Sequence, residues 1–303
     1  MTRIAAICVT LALGLLAGCG DGDPKPGAVK AAPQDQAARS ALKSVKPIAS
    51  GRVEALLRIT LDNAPPEVGS ALELSLKGPL RSNGPGKLPS LDWKLAFEGL
   101  NQRFSSRLVS TGDNFFVRLG GVDFEVGEEA IADLNRQSAQ SKGGDGLAAI
   151  GIDPLAALKE IRKRGSGTVA GATTTHYTGT VDMNKLLDQV QRFLRTVPRQ
   201  PTGGQTLPQL ELTPERRQQV SDTFGVPTVE VDVAGDDTIR QVVVATRFTT
   251  PEANREAASG ITGGTIEYRL QYSDVGSEVS ISPVKGARPI EEFAAALQRE
   301  LSR

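Results

Sequence analysis

Between Arg52 and Asn63 the chain reads RVEALLRITLDN, with Val53, Ala55, Leu57, Ile59 and Leu61 at every second position and Arg52, Glu54, Arg58 and Thr60 among the residues between them. Side chains of an extended backbone point alternately to its two sides, so this spacing fits a strand with one face buried and the other in water. The period returns at once. SALELSLKG sets Leu72, Leu74 and Leu76 against Glu73, Ser75 and Lys77, and SLDWKLAFEG sets Leu91, Trp93, Leu95 and Phe97 against Asp92, Lys94 and Glu98. NQRFSSRLVST, NFFVRLG and VDFEV continue the pattern, with Gly, Pro and Asn in the short breaks. Successive strands of this kind predict an antiparallel meander with one apolar and one solvated face.

An apolar face requires a cover, and the period then changes to supply one. Over 128–140 and 153–164 apolar residues recur at helical spacing, as in Leu155, Leu158 and Ile161, and Asp153-Pro154 suits a helix start. Strands resume in GTVAGATTTHYTGTVDM, with a turn near Ala172, and helices are predicted over 184–194 and, behind Thr213 and Pro214, in TPERRQQVSDTFG. VPTVEVDVAG, TIRQVVVATRF and GTIEYRLQYSDV are three further strands, the first two joined by the hairpin turn AGDDT. A last helix over 289–301 carries Phe293, Leu297 and Leu301 on one stripe, and a short Ala-rich helix over 35–45 precedes Pro47. The expected class is α+β: one large antiparallel sheet of about 9–11 strands with helices on its apolar face, in a single domain over 46–303.

The first residues have the layout of an export signal, with Arg3 followed by an apolar run from Ile4 to about Leu16. That run is shorter than the roughly 20 residues of a permanent membrane helix. Leu16-Ala17-Gly18-Cys19 resembles the lipobox of bacterial lipoproteins. The resemblance implies that residues 1–18 are a signal peptide and that Cys19, acylated with chains such as palmitate, anchors the chain to the cell membrane, facing outside the cytoplasm. A thiolate is the strongest nucleophile among the side chains, which suits it to carry the lipid. Cys8 would leave with the signal, so the mature chain would have Cys19 alone and no internal disulfide. GDGDPKPGAVKAAPQDQ reads as a tether, making 19–45 a flexible link plus the short helix.

Charge and chemistry narrow the function. Thirty-five basic and thirty-five acidic residues leave no net field for nucleic acid, and 4% aromatic residues provide few platforms for stacking bases. The one histidine, His176, lies in TTTHYTG, with no serine elbow near it. No enzyme activity, metal or cofactor is expected: one His and one acylated Cys do not make a metal site, and SKGGDG, PTGGQT and ITGGTI lack the Lys-Ser/Thr ending of a phosphate loop. GDGD and AGDDT read as tether and turn. The apolar face remains. Gln102 and Ser106 are expected on it beside Leu100, Phe104 and Leu108, and a lightly filled apolar cup suits acyl chains. Leu57, Ile59, Leu74, Leu76, Trp93, Leu95, Phe97, Phe104 and Leu108 are the candidate lining.

The lipobox, the tether, the meander, the stretch GSGTVAGATTTHYTGTVDMNKLL leading from two strands into a helix, and the closing strands together resemble the actinobacterial lipoproteins of the LppX and LprG type. That resemblance implies a LolA-like fold, a half-barrel sheet with helices on its concave side. It also implies a function: binding a hydrophobic, acylated lipid in the cavity and carrying it within the cell envelope, with an envelope transporter as partner. Two other readings stay open on the residues alone. One is a lipoprotein with a filled core that acts as an interaction or signalling partner at the membrane, and the other is a hydrolase that uses His176.

Overall fold

The computed structural model describes residues 33–84, 86–140, 157–196 and 213–301. The predicted signal peptide, Cys19 and most of the predicted tether fall outside them, as does the predicted helix start at Asp153, while the end of the predicted tether, Pro33 to Gln36, is the first turn of a helix. After helix α1 (Pro33–Lys43) come six strands: β1 (Ser50–Asp62), β2 (Ala71–Arg81), β3 (Ser90–Gly99), β4 (Gln102–Ser110), β5 (Phe115–Leu119) and β6 (Val122–Glu125). Helix α2 (Glu128–Gln140) is followed by β7 (Leu158–Val169) and β8 (Ala172–Val181), then by helices α3 (Met183–Thr196) and α4 (Pro214–Thr223). Strands β9 (Thr228–Ala234), β10 (Ile239–Thr249), β11 (Gly263–Ser273) and β12 (Arg288–Pro289) precede the last helix, α5 (Phe293–Leu301).

All twelve strands form one open, curved sheet in the order β12-β6-β5-β4-β3-β2-β1-β11-β10-β9-β8-β7. It is two meanders, β1–β6 and β7–β11, joined where β1 pairs antiparallel with β11 from Arg52–Ser273 to Asp62–Gly263. The α+β class and the large antiparallel sheet agree with the expectation from sequence. β12 is an addition that no sequence period signals: two residues pair parallel with β6, and Phe293 of α5 meets Phe124 edge to face at 5.5 Å.

One predicted helix is a strand. Leu158 and Ile161, three apart, read as a helical face but belong to β7, where Glu160 has φ of 51° and the pairing to β8 shifts between Lys159 and Arg162. An extra residue in a strand returns two side chains of that spacing to the same face. Both are buried in a cluster with Tyr177, Val229, Val231 and Val233. Leu100 is also displaced from its expected place. With Asn101 it forms the two-residue turn between β3 and β4, at φ 54° and 55°, the left-handed pair that hairpin turns favour.

On the solvated face, cross-strand pairs carry opposite charges. Arg58 donates through Nε and Nη2 to Glu73 at 3.1 and 2.8 Å, and Arg103 does the same to Glu98 at 3.1 and 2.7 Å. Arg107 grips both oxygens of Asp92, at 2.7 and 2.6 Å, and Arg118 both oxygens of Asp123, at 2.8 and 2.6 Å. Lys159, Arg162, Lys163 and Arg164 lie exposed on β7, the outermost strand, where charge discourages pairing with another sheet.

The Arg107 fork holds the Asp92 carboxyl below its ordinary range. A depressed folded pKa adds stability that is complete above the unfolded value of about 3.9 and fades as the pH falls through the folded one. Asp92→Asn is therefore expected to be less stable than the wild type at neutral pH and to converge with it in acid. Denaturant titrations across that range check this, and a gap that stays constant down to about pH 2 would contradict it.

Candidate functional site

The register shows how the apolar face is built. Leu57 of β1 stands opposite Leu74 of β2, Leu74 opposite Phe97 of β3, and Phe97 opposite Phe104 of β4. On its other side Leu57 faces Tyr268 of β11, which faces Val244 of β10, which faces Val229 of β9. A single cross-strand row thus runs over seven strands. One row below, Ser106, Leu95, Leu76, Ala55, Leu270, Val242 and Val231 follow one another in the same way. Trp93 faces Leu108, and Ile59 lies between Leu72 and Ile266. All nine candidate lining residues therefore share one face.

They do not share one environment. Leu76 and Trp93 are buried in a cluster with Val53, Leu80, Leu91, Leu270 and Tyr272, near the end where β1 begins. Ile48 and Val275 pack against that cluster and help to close this end. Helix α1 and the residues after it cover the far side of the face: Ala38 and Leu42 of the helix and Val45 beyond its end pack with Tyr177, Val229, Val231 and Val233, and Arg39 donates to the Leu158 carbonyl at 2.8 Å. Leu57, Ile59, Leu74, Leu95, Phe97, Phe104 and Leu108 are only half-buried. The face is filled at one end and open along the row through Leu57.

Sequence reasoning missed the part of the apolar face contributed by β10 and β11, namely Val244 and Tyr268 in the row and Ile266 beside Ile59. The signal was present, because TIRQVVVATRF and GTIEYRLQYSDV alternate as β1 does. Alternation gives each strand a face but does not name its neighbour. The junction of β1 with β11 is what brings these residues beside Leu57 and Ile59.

His176 lies on the opposite face. Its Nδ1 is 3.1 Å from Oδ1 of the buried Asp232, to which Thr174 Oγ1 also donates at 3.3 Å, while Gln241 Nε2 donates to Oδ2 at 3.5 Å. A nucleophile activated by a base needs the histidine between hydroxyl and carboxylate. Here the carboxylate stands between threonine and histidine, and the cluster ties β8, β9 and β10 together. A separate cleft of about 690 Å³ opens between Arg52, Pro79 and residues 274–280, and no member of the apolar row lines it. No helix among the described residues is long and apolar enough to cross a membrane.

No protein-family model matches the chain, and no curated protein matches it. Among solved structures it is similar to the Mycobacterium tuberculosis lipoprotein LppX, at 15% identity over 82% of this chain and 100% of that one, with a TM-score of 0.37. It is similar to LprF from Mycobacterium bovis at 14% identity, over 82% and 93% of the two chains, with a TM-score of 0.39. A LolA superfamily protein from Nitrosomonas europaea matches at 10% identity, over 82% and 96%, with a TM-score of 0.23. LppX-type lipoproteins and the LolA-like fold are also what the sequence resemblance names, but at such scores the likeness carries no argument about this chain.

Proposed function

We propose that this chain is a membrane-anchored envelope lipoprotein that binds acylated lipids on the apolar face of its sheet and carries them within the envelope. The observation that carries the reading is the half-buried row Phe104, Phe97, Leu74, Leu57, Tyr268 and Val244, a continuous and mostly apolar strip across six adjacent strands beside a well-packed end. Contiguous apolar surface of this kind marks a place where something apolar docks. An acyl chain fits the need, since each methylene taken out of water contributes about 0.8 kcal/mol. Acylated Cys19 would hold the body at the membrane that supplies the ligand, and an envelope transporter would deliver or receive it. The function is binding without covalent chemistry, and His176 has no part in it.

Native mass spectrometry of the purified protein is expected to show a co-purifying lipid. The delipidated protein is expected to take up a fluorescent fatty acid or phospholipid saturably. No bound lipid together with no saturable uptake would defeat the proposal and favour a filled-core interaction protein.

A further inference from the structure

On the solvated face of the first meander most charges are matched, and one part of that face is not. Arg58, Arg103, Arg107 and Arg118 are each gripped by a carboxylate of a neighbouring strand. Arg52 of β1, Lys77 and Arg81 of β2 and Lys94 of β3 are exposed on the same face and form no ion pair with a described residue. These four lie together. Arg52 stands opposite Pro79, Lys77 and Arg81 flank that proline along β2, and Lys94 stands opposite Lys77. Neighbouring strands are about 4.8 Å apart and alternate residues about 6.8 Å apart along a strand, so the four backbone positions fall within about 15 Å. Lys94 has Arg107 on its other side. Like charges directly opposite each other weaken a sheet. Lys94 acts on Asp92 only at a distance, and that carboxylate already has both oxygens on Arg107.

The patch borders the cleft of about 690 Å³, to which Arg52 and Pro79 both belong. Segment 274–280 also lines that cleft, and its Asp274 and Glu278 are exposed and equally without an ion pair to a described residue. Glu54, opposite Lys77, is a third exposed acid in the same condition. The surface therefore has two signs: cations on β2 and β3, acids on the side of β1 and the segment after β11, and Arg52 with a recess between them. An anionic lipid surface or a nucleic acid presents one sign only, so the three acids would oppose either. A flat bilayer also cannot follow a recess. A protein segment can carry both signs in the matching order and lie in a cleft, and complementary charge of this kind sets which partner docks.

We infer that this part of the solvated face docks an extended protein segment with acidic residues over Lys77, Lys94 and Arg81 and a basic residue towards Asp274 and Glu278. Arg52 and Pro79 form the floor between the two halves. The site lies on the side of the sheet opposite the apolar row, so it stands whether or not that row holds lipid, and both faces can be occupied at once.

The test uses the full-length protein and two short fluorescein-labelled peptides, one with alternate glutamates in its first half and lysines in its second, the other with glutamine at every charged position. Fluorescence anisotropy at low salt is expected to show saturable binding of the two-signed peptide to the wild type. Binding to Lys77→Gln/Lys94→Gln is expected to be about tenfold weaker, the scale of two exposed ion pairs, and to vanish for both proteins at high salt, which screens such pairs. The variant is expected to keep the circular dichroism of the wild type and its uptake of a fluorescent phospholipid, since both lysines face away from the apolar row. Equal affinity in wild type and variant, equal affinity for the uncharged peptide, or no binding of either peptide would overturn the inference. So would phosphatidylglycerol vesicles that bind through the two lysines while the two-signed peptide does not, which would make the patch a membrane contact. Phospholipid uptake by the wild type is read separately, so a failure of lipid binding cannot be mistaken for a failure of docking.

Discussion

Gly264→Ala is expected to destabilise the protein by about 3 kcal/mol or more, at the upper end of overpacking costs. Gly264 lies on β11 opposite Leu61 of β1 and Phe248 of β10. A Cβ there would sit 2.0 Å from the Thr60 carbonyl oxygen and 2.8 and 2.9 Å from two ring carbons of Phe248. The ring can turn aside, but the carbonyl belongs to a paired strand and yields only if the β1–β11 junction opens. Glycine in a strand interior often marks such a close approach of two backbones. Gly235→Ala is the control, since its added Cβ meets nothing within 4 Å, and it should stay within about 0.5 kcal/mol of the wild type. Denaturant unfolding of the two variants measures the contrast, and equal midpoints would show that the junction tolerates the methyl group.

Leu57→Glu is expected to reduce uptake of a fluorescent phospholipid more than tenfold while the protein stays folded. Leu57 sits at the centre of the open row, between Leu74 and Tyr268, and is only half-buried. Leu57 is not fully covered, so without ligand a carboxylate there can still reach water, which spares the fold. An acyl chain laid over it would strip that water from a charge, a cost of several kcal/mol and so more than a factor of ten in affinity. Glu54→Leu on the solvated face of the same strand is the matched control. Circular dichroism verifies the fold, and saturable uptake at wild-type affinity in folded Leu57→Glu would place the lipid elsewhere.

Much of this fold is legible in the sequence because a period of two leaves little choice. Val53, Ala55, Leu57, Ile59 and Leu61 must share a face whatever their neighbours are, and the nine lining candidates do share one. What misled was a local irregularity: the bulge at Glu160 gives a strand the three-residue spacing of a helix, so Leu158 and Ile161 read as a helical stripe. The division of the face into a packed end and an open row was not legible at all. It depends on where α1, Ile48 and Val275 come to rest and on which strand meets β1 from the far side. Tyr268 stood in plain sight in GTIEYRLQYSDV, yet its place beside Leu57 follows only from a pairing some two hundred positions apart, from Asp62 to Gly263.

That pairing also orders the events of folding. Every other contact between long strands joins elements that follow one another within a meander, so hairpins such as β3–β4 and β9–β10 close small loops and can form early. The β1–β11 junction closes a loop spanning most of the chain, and the entropy of that closure is recovered only once both halves present matching edges. The apolar row is assembled in the same step, since four of its residues belong to one meander and three to the other. A groove of this kind has no existence in a half-folded chain, so the ability to hold a ligand arrives last and all at once.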